Sequence, residues 1–431
     1  MDAGVARARV AVRLLAQQTS PAFAFRQISD GAGDPKVASV AGGTFVPTYQ
    51  GLSPAHVMRL ALSKRSESKG TTPYPFNAPH RLSYYRARNA IYHLFGALVE
   101  TKPSLTVLAP DYYSGNEIMA LQAAGARIRY CPVGPGMQWD PSEVERLCRT
   151  HAPDLLYVIH YAGWPQPIDA LAELCRRREM LLFEDCALSL LSGTPDGRPL
   201  GSIGNWSVFC LYKTLPLPNG ALLVQNDRPI ESLERLRLRQ AGSASVAGRM
   251  AELFVQRIRG RVNGVGAALQ AVKRSLGAAA GALDVQRANV GDIGFNLDEV
   301  DLAMSPISAR LIERFDYEDI RRRRIANYQQ LARELDPAVA ATFPVLPDGV
   351  CPLFFPILVP NKAEAADELR RRGIDVIEFW NDPVGDGSEM GPNARFFRAH
   401  VLELPIHQDL SARHISYVAR TVSSLDLRMA A

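Results

Sequence analysis

The chain has 431 residues, with 49 Lys and Arg against 44 Asp and Glu, a formal charge of +5 and six cysteines. That length supports a large core, and so small a charge, spread along the chain, argues against a nucleic-acid binder. No run of about 18 apolar residues occurs, so no membrane-spanning helix is expected, and no CxxC or Cys/His metal spacing joins the cysteines.

Residues 1–36 are basic, with an apolar core too short and too interrupted by Arg for a secretory signal, and are read as a flexible segment. With cysteines expected to be free thiols, this places the chain in a reducing cytoplasm. Ser53 to Ser63 carries a Ser cap, a Pro in the first turn and helical apolar spacing. Tyr84 to Leu98 reads as a loop entering a helix. Strands are expected over Leu105 to Ala109, Ala126 to Cys131, Leu155 to His160 and Met180 to Phe183. Helices are expected between them, over Glu117 to Ala124, Asp140 to Thr150 and Ala170 to Arg178. Strands and helices alternating at this spacing predict a mostly parallel sheet with helices on both faces, and sites in such sheets lie at strand carboxyl ends.

The stretch from Leu181 to Asp227 carries the chemistry. An apolar run ends in Glu184-Asp185, a Gly-rich segment follows, and a second apolar run, Trp206 to Tyr212, delivers Lys213. A lysine amine can form a Schiff base with an aldehyde. Pyridoxal phosphate is the common aldehyde cofactor, and a carboxylate beside its ring nitrogen keeps that nitrogen protonated, so that the ring acts as an electron sink. Asp185 and Lys213 would supply these two groups. An isolated Asp or Lys is usually a turn cap or a surface cation, but Lys213 lies among Phe209, Leu211, Tyr212 and Leu215, where burying a charge costs several kcal/mol.

FEDCA, GRPLGSIGNWSVF, YKT and NGALLVQND together resemble the motifs of the DegT/DnrJ/EryC1/StrS sugar aminotransferases, over about Pro47 to Leu427. The resemblance implies the type I pyridoxal-phosphate fold, an α/β large domain plus a smaller C-terminal α/β domain. It makes Lys213 the Schiff-base lysine, as in the transaminating branch, where the dehydratase branch carries His. It places Arg88 and Asn89 at the helix start that holds the cofactor phosphate, with Arg86 nearby. It puts Tyr113 or Tyr112 near the pyridine ring, His160 at a strand end beside the site, and Asn296 at the phosphate of the neighbouring subunit of a homodimer. Four positions depart from the family pattern. Leu188 stands where Gln or His is usual. Val208 replaces a phosphate-binding Ser, leaving Ser207 one position off. Pro216 to Gly220 replaces a Gly-rich loop, and Asp298 replaces an Arg.

Between Arg235 and Arg287 lies an Ala-, Gly- and Arg-rich helical insertion with Met250, Leu253, Phe254 and Ile258 on one face. It reads either as extra helix packed on the dimer or over the site, or as a basic amphipathic surface for peripheral membrane or acidic-partner contact. A helix is expected over Asp301 to Phe315 and another over Tyr317 to Leu335, whose Arg321 to Arg324 run reads as a solvated face. The expected organisation is thus a segment 1–36, a cofactor-binding α/β domain 37–240, an insertion 241–286 and a small domain 287–431. The expected activity is transfer of an amino group, from glutamate, to a keto sugar, nucleotide-linked, in polysaccharide or glycoconjugate synthesis. The alternatives are a family member that only binds or scaffolds, and another type I activity such as a lyase.

Overall fold

The computed structural model describes residues 43–53, 72–262, 294–339, 343, 345–381, 383–385, 387–427 and 429. The expected segment 1–36, the helix beginning at Ser53 and the second half of the insertion lie outside them. The elements of the first half, in chain order, are β1 (Arg81–Tyr84), α1 (Ala87–Thr101), β2 (Thr106–Pro110), α2 (Asn116–Ala123), β3 (Arg127–Cys131), α3 (Pro141–His151), β4 (Leu155–Ile159), α4 (Ile168–Arg178), β5 (Leu181–Asp185), β6 (Trp206–Cys210) and β7 (Ala221–Gln225). Then come α5 (Glu231–Glu234), β8 (Arg239–Gln240), α6 (Ser243–Arg261), β9 (Leu302–Ala303), α7 (Pro306–Ile312), α8 (Tyr317–Glu334), β10 (Phe355–Leu358), α9 (Lys362–Arg371), β11 (Ile377–Glu378), α10 (Pro392–His400), β12 (Val401–Leu404) and α11 (Ala412–Ser423).

Nine strands form one sheet in the order β3-β2-β4-β5-β6-β7-β1-β9-β8. Strands β3, β2, β4, β5 and β6 are parallel, and β7 runs against both its neighbours. The short central strands read LLYVI, LLFED and WSVFC and are buried along almost their whole length, as strands covered on both faces must be. A second sheet, β10-β12-β11, is antiparallel. One apolar cluster fills the space around both sheets, and a second, around Phe76, Phe209, Leu215 and Leu311, lies on the other face of β6 and β7.

Side-chain caps start five of the eleven described α-helices. Asp140 accepts from Ser142 N, with Pro141 at the first turn, and Asp316 accepts from Asp319 N. The helix expected over Asp301 to Phe315 is shorter. Leu302–Ala303 pairs with β8 and β1 instead, and Ser305 caps a helix that begins at Pro306. Among the described residues of the insertion, α6 packs inward through Leu253, which is 2 % exposed. Leu52 N donates to Leu253 O, Arg257 pairs with Asp409, and the Arg259 guanidinium lies 3.7 Å over the Phe45 ring. Gly51 is required here, since a Cβ would lie 2.6 Å from Arg257. No helix among the described residues is long and apolar enough to cross a membrane. All six cysteines are buried and unpaired.

Candidate active site

The parallel register brings two chemistries together at the carboxyl ends of β4, β5 and β6. Residue Ile159 lies opposite Asp185, and Asp185 opposite Val208. Asp185 ends β5 with its carboxylate almost fully buried. Its Oδ2 accepts from the Tyr157 hydroxyl at 2.6 Å and its Oδ1 from Ala187 N at 2.9 Å. Burial pushes this carboxyl up, to about 6, and the nearby charge of Glu117 pushes the same way, against the Tyr157 and Ala187 hydrogen bonds and the charge of Lys213. Tyr157 and Glu117 had no signal in the sequence as site residues. Tyr157 is an ordinary strand residue until the register sets it beside Asp185, and Glu117 an ordinary helix residue until the fold brings its charge near.

Lys213 ends a 3-10 turn, Leu211–Lys213, that follows β6 directly. The expected strand through Tyr212 therefore stops two residues early. The side chain is half-buried, and its charge is felt by Asp185, Cys210 and Glu403. Glu403, on β12 of the second sheet, is a further carboxylate that feels the Lys213 charge. Burial raises it to about 8, with Lys213 and then Lys362 drawing it back down.

The preceding residue, Glu184, points to the opposite face. Its oxygens accept from Gly201 N at 2.9 Å, Ile203 N at 2.8 Å, Gly204 N at 2.6 Å and His160 Nε2 at 3.0 Å. Burial pushes Glu184 up, but the His160 hydrogen bond, with the backbone donors of Gly204 and Gly201, holds it below the usual carboxylate range. The Gly-rich segment after β5 thus serves to wrap a buried carboxylate.

Several residues expected at the site are placed elsewhere. His160 is fully buried, its Nδ1 accepts from Gln166 N at 3.0 Å, and so its Nε2 carries the proton given to Glu184. With no exposed surface, it fastens β4 to β5 and offers nothing to a bound ring. Ser207 lies opposite Glu184, on the face away from Asp185, and its hydroxyl meets that of Tyr74 at 3.2 Å. A one-residue offset along a strand reverses the face, so Ser207 cannot stand in for a Ser at Val208. Tyr113 is 3 % exposed, with its ring on Tyr130 at 5.5 Å and Arg398 5.0 Å from its centroid, which leaves little ring surface for stacking. Tyr112 is enclosed by Tyr161, Phe379, Trp380 and Phe397.

The start of α1 is built from Arg86, Arg88 and Asn89. Arg86 caps it in extended conformation and pairs with Glu299 at 2.5 Å. Arg88 donates to Asn116 Oδ1 at 2.8 Å and to the Gly294 carbonyl, and its charge reaches Cys210 and Tyr212 beside Lys213. Asn89 Nδ2 donates to Glu299 O at 2.7 Å. Asn296 is exposed, its side chain accepting from Asp298 N at 2.9 Å.

A mostly parallel sheet whose strand direction reverses at β7, a buried Asp at one strand end and a lysine after the next define an α/β protein of the type I aminotransferase fold. The DegT/DnrJ/EryC1/StrS aminotransferase family model matches residues 116–423, and the chain belongs to that family. The fold is shared with a protein described as a sugar aminotransferase from Streptococcus pneumoniae, in its PMP form, at TM-score 0.62 and 15 % identity, over 88 % of this chain and 98 % of that one. It is shared also with an aminotransferase of Helicobacter pylori involved in the biosynthesis of pseudoaminic acid, at TM-score 0.60 and 16 % identity over the same shares. In sequence, 173 residues are 25 % identical to a dTDP-4-dehydro-2,3,6-trideoxy-D-glucose 4-aminotransferase of Saccharopolyspora spinosa, 39 % of this chain and 44 % of that protein. The chain matches less than half the length of the curated relatives.

Proposed function

We propose that the protein is a pyridoxal-phosphate-dependent aminotransferase acting on a keto sugar, nucleotide-linked, with glutamate as amino donor. One observation carries this reading. Asp185 is a buried carboxylate whose two oxygens accept only from Tyr157 and Ala187 among the described residues, and whose pKa is raised by burial and by the charge of Glu117. A protonated pyridine nitrogen against Asp185 would offset that burial cost with a directly paired cation. The donor set fits the rest of the cofactor as well. Lys213 offers an amine at the next strand end, and the first turn of α1 has backbone N–H groups, no acidic residue and the Arg88 charge to favour a phosphate.

Bound there, pyridoxal phosphate supplies an electron sink for a carbanion next to the substrate nitrogen. The chain's own residues do the remainder. Asp185 would hold a proton on the ring nitrogen through its buried oxygens. Lys213 Nζ would tether the cofactor, then take a proton from the substrate carbon and return it at the neighbouring position. Glu403, whose carboxyl feels the Lys213 charge, would stand beside the amine as a second carboxylate besides Asp185. A two-fold dimer is part of the proposal, with Asn296 of each subunit turned to its neighbour. So is a reducing cytoplasm, which suits six unpaired thiols.

The test is a visible absorbance band in protein given pyridoxal phosphate, absent in Lys213→Ala, and its conversion by glutamate. Cofactor-saturated protein without the band sinks the assignment. A non-transaminating binding or scaffold role is favoured by Ser207 turned away and Arg86 committed to Glu299. Conversion by glutamate rejects it, and product without any amino donor points to a lyase. Sedimentation of an active cofactor-loaded monomer rules out the shared site.

A further inference from the structure

The four consecutive arginines of α8 are not all on a solvated face. Arg324 is 1 % exposed, among the most buried large side chains of the described residues. No carboxylate lies within hydrogen-bonding distance of it there. Its Nη1 donates to Leu353 O at 2.9 Å and Pro352 O at 3.3 Å, and its Nη2 to Gln50 Oε1 at 3.1 Å and Thr214 O at 3.4 Å. Burial draws its pKa down, to about 10. A guanidinium kept in the interior on neutral acceptors alone is costly, so what it holds is informative.

What it holds is the turn of Lys213. Gln50, itself pinned by Arg324, donates from Nε2 to Tyr212 O at 3.3 Å and Lys213 O at 3.4 Å. Gln408 Nε2 donates to Thr214 O at 3.0 Å. Three successive carbonyls, of residues 212, 213 and 214, are thereby taken by side chains from three distant parts of the chain. These are the carbonyls a short helical turn leaves without internal donors, and a cation at that end is electrostatically favourable. We infer that Arg324 is a positioning residue for Lys213: with Gln50 and Gln408 it caps the lysine turn and sets the direction in which the amine is presented. Because Arg324 lies on α8 and also grips residues 352 and 353, the C-terminal part of the chain takes a direct share in aiming that amine.

This inference rests on the aminotransferase assignment. Its test uses the full-length chain as wild type, Gln50→Ala, Arg324→Met and Arg324→Lys. Each is incubated with pyridoxal phosphate, the visible band is titrated against pH, and borohydride trapping on Lys213 is timed by peptide mapping. Folding is checked by circular dichroism and melting. Gln50→Ala and Arg324→Met should slow trapping by about tenfold or more, as misplacement of a reacting group by a fraction of an ångström does. They should also move the pH midpoint of the band, while Arg324→Lys, which keeps a cationic donor, recovers most of both. A purely structural loss lowers the melting temperature without moving that midpoint. Should Arg324→Met not fold, Gln50→Ala, which removes only neutral hydrogen bonds, decides. Folded variants with wild-type trapping and midpoint overturn the inference and leave the assignment standing. Absence of trapping in the wild type overturns the assignment and the inference with it.

Discussion

The hydroxyl of Tyr157 lies 2.6 Å from Oδ2 of Asp185, two residues back along the neighbouring parallel strand. A phenol pushed well above its ordinary pKa by burial is a permanent donor here, so it always favours the charged form of the carboxylate. Tyr157→Phe deletes that donor and leaves the ring packing with Phe95 and Phe183. The Asp185 carboxyl should rise further above about 6 and the cofactor should bind more weakly. A hydrogen bond to a charged group is worth about 1.5–3 kcal/mol, so a loss of roughly tenfold or more in affinity is expected. Titration of the visible band with pyridoxal phosphate measures it.

Asp185→Asn should separate stability from function. The folded pKa of Asp185 is raised, to about 6, from its usual 3.8. Below the usual value the group costs nothing. As pH rises through the folded value the buried charge appears and stability is lost. The Asn variant without cofactor should therefore melt higher than wild type at pH 8, by an amount on the order of 1–3 kcal/mol, with little gain at pH 4. It should also lose the visible band. Equal melting shifts at both pH values would show that the charge of Asp185 is not the cause.

Arg86 and Arg88 flank the start of α1 and should differ in kind. Arg86→Ala leaves Glu299 without its 2.5 Å partner, and breaking a largely buried pair costs about 3 kcal/mol or more. Its effect should appear in the melting curve. Arg88→Ala should weaken pyridoxal phosphate binding by roughly one to two factors of ten, since the charge near Cys210 and Tyr212 is what it removes. An unchanged dissociation constant in Arg88→Ala would confine Arg88 to holding Asn116 and Gly294.

His160→Leu tests the structural assignment of that residue. Glu184 would keep its three backbone donors but lose its side-chain partner. The Glu184 carboxyl is held below its usual range, so its contribution is present above that range and lost as pH falls through the folded value. The variant should lose about 1.5–3 kcal/mol near neutral pH, as a hydrogen bond to a charged group is worth, and unfold at a higher pH on acidification. Cofactor affinity of the folded fraction should change little. A large loss of affinity without loss of stability would return His160 to the cofactor.

The sheet and the Asp185–Lys213 pair were legible in the sequence because each is a local pattern. Short β-rich apolar runs alternating with capped amphipathic helices specify a parallel sheet whatever lies around them, and a charged residue closing an apolar run is anomalous in any context. Side-chain direction was not legible. Whether Ser207 faces Asp185 or Glu184 depends on a pairing register that inverts with a single residue, and the neighbouring Val208 holds the facing place. The same register, not composition, sets Tyr157 beside Asp185 and leaves His160 to Glu184. The run Arg321 to Arg324 is uniformly polar by any count, yet a helix sends every side chain a different way. Only the packing of α8 against residues 352 and 353, Gln50 and Thr214 turns Arg324 into the interior. The contacts to Gln50 and Thr214 span 274 and 110 residues of chain. Their energies depend on distance in space, which tertiary structure alone sets.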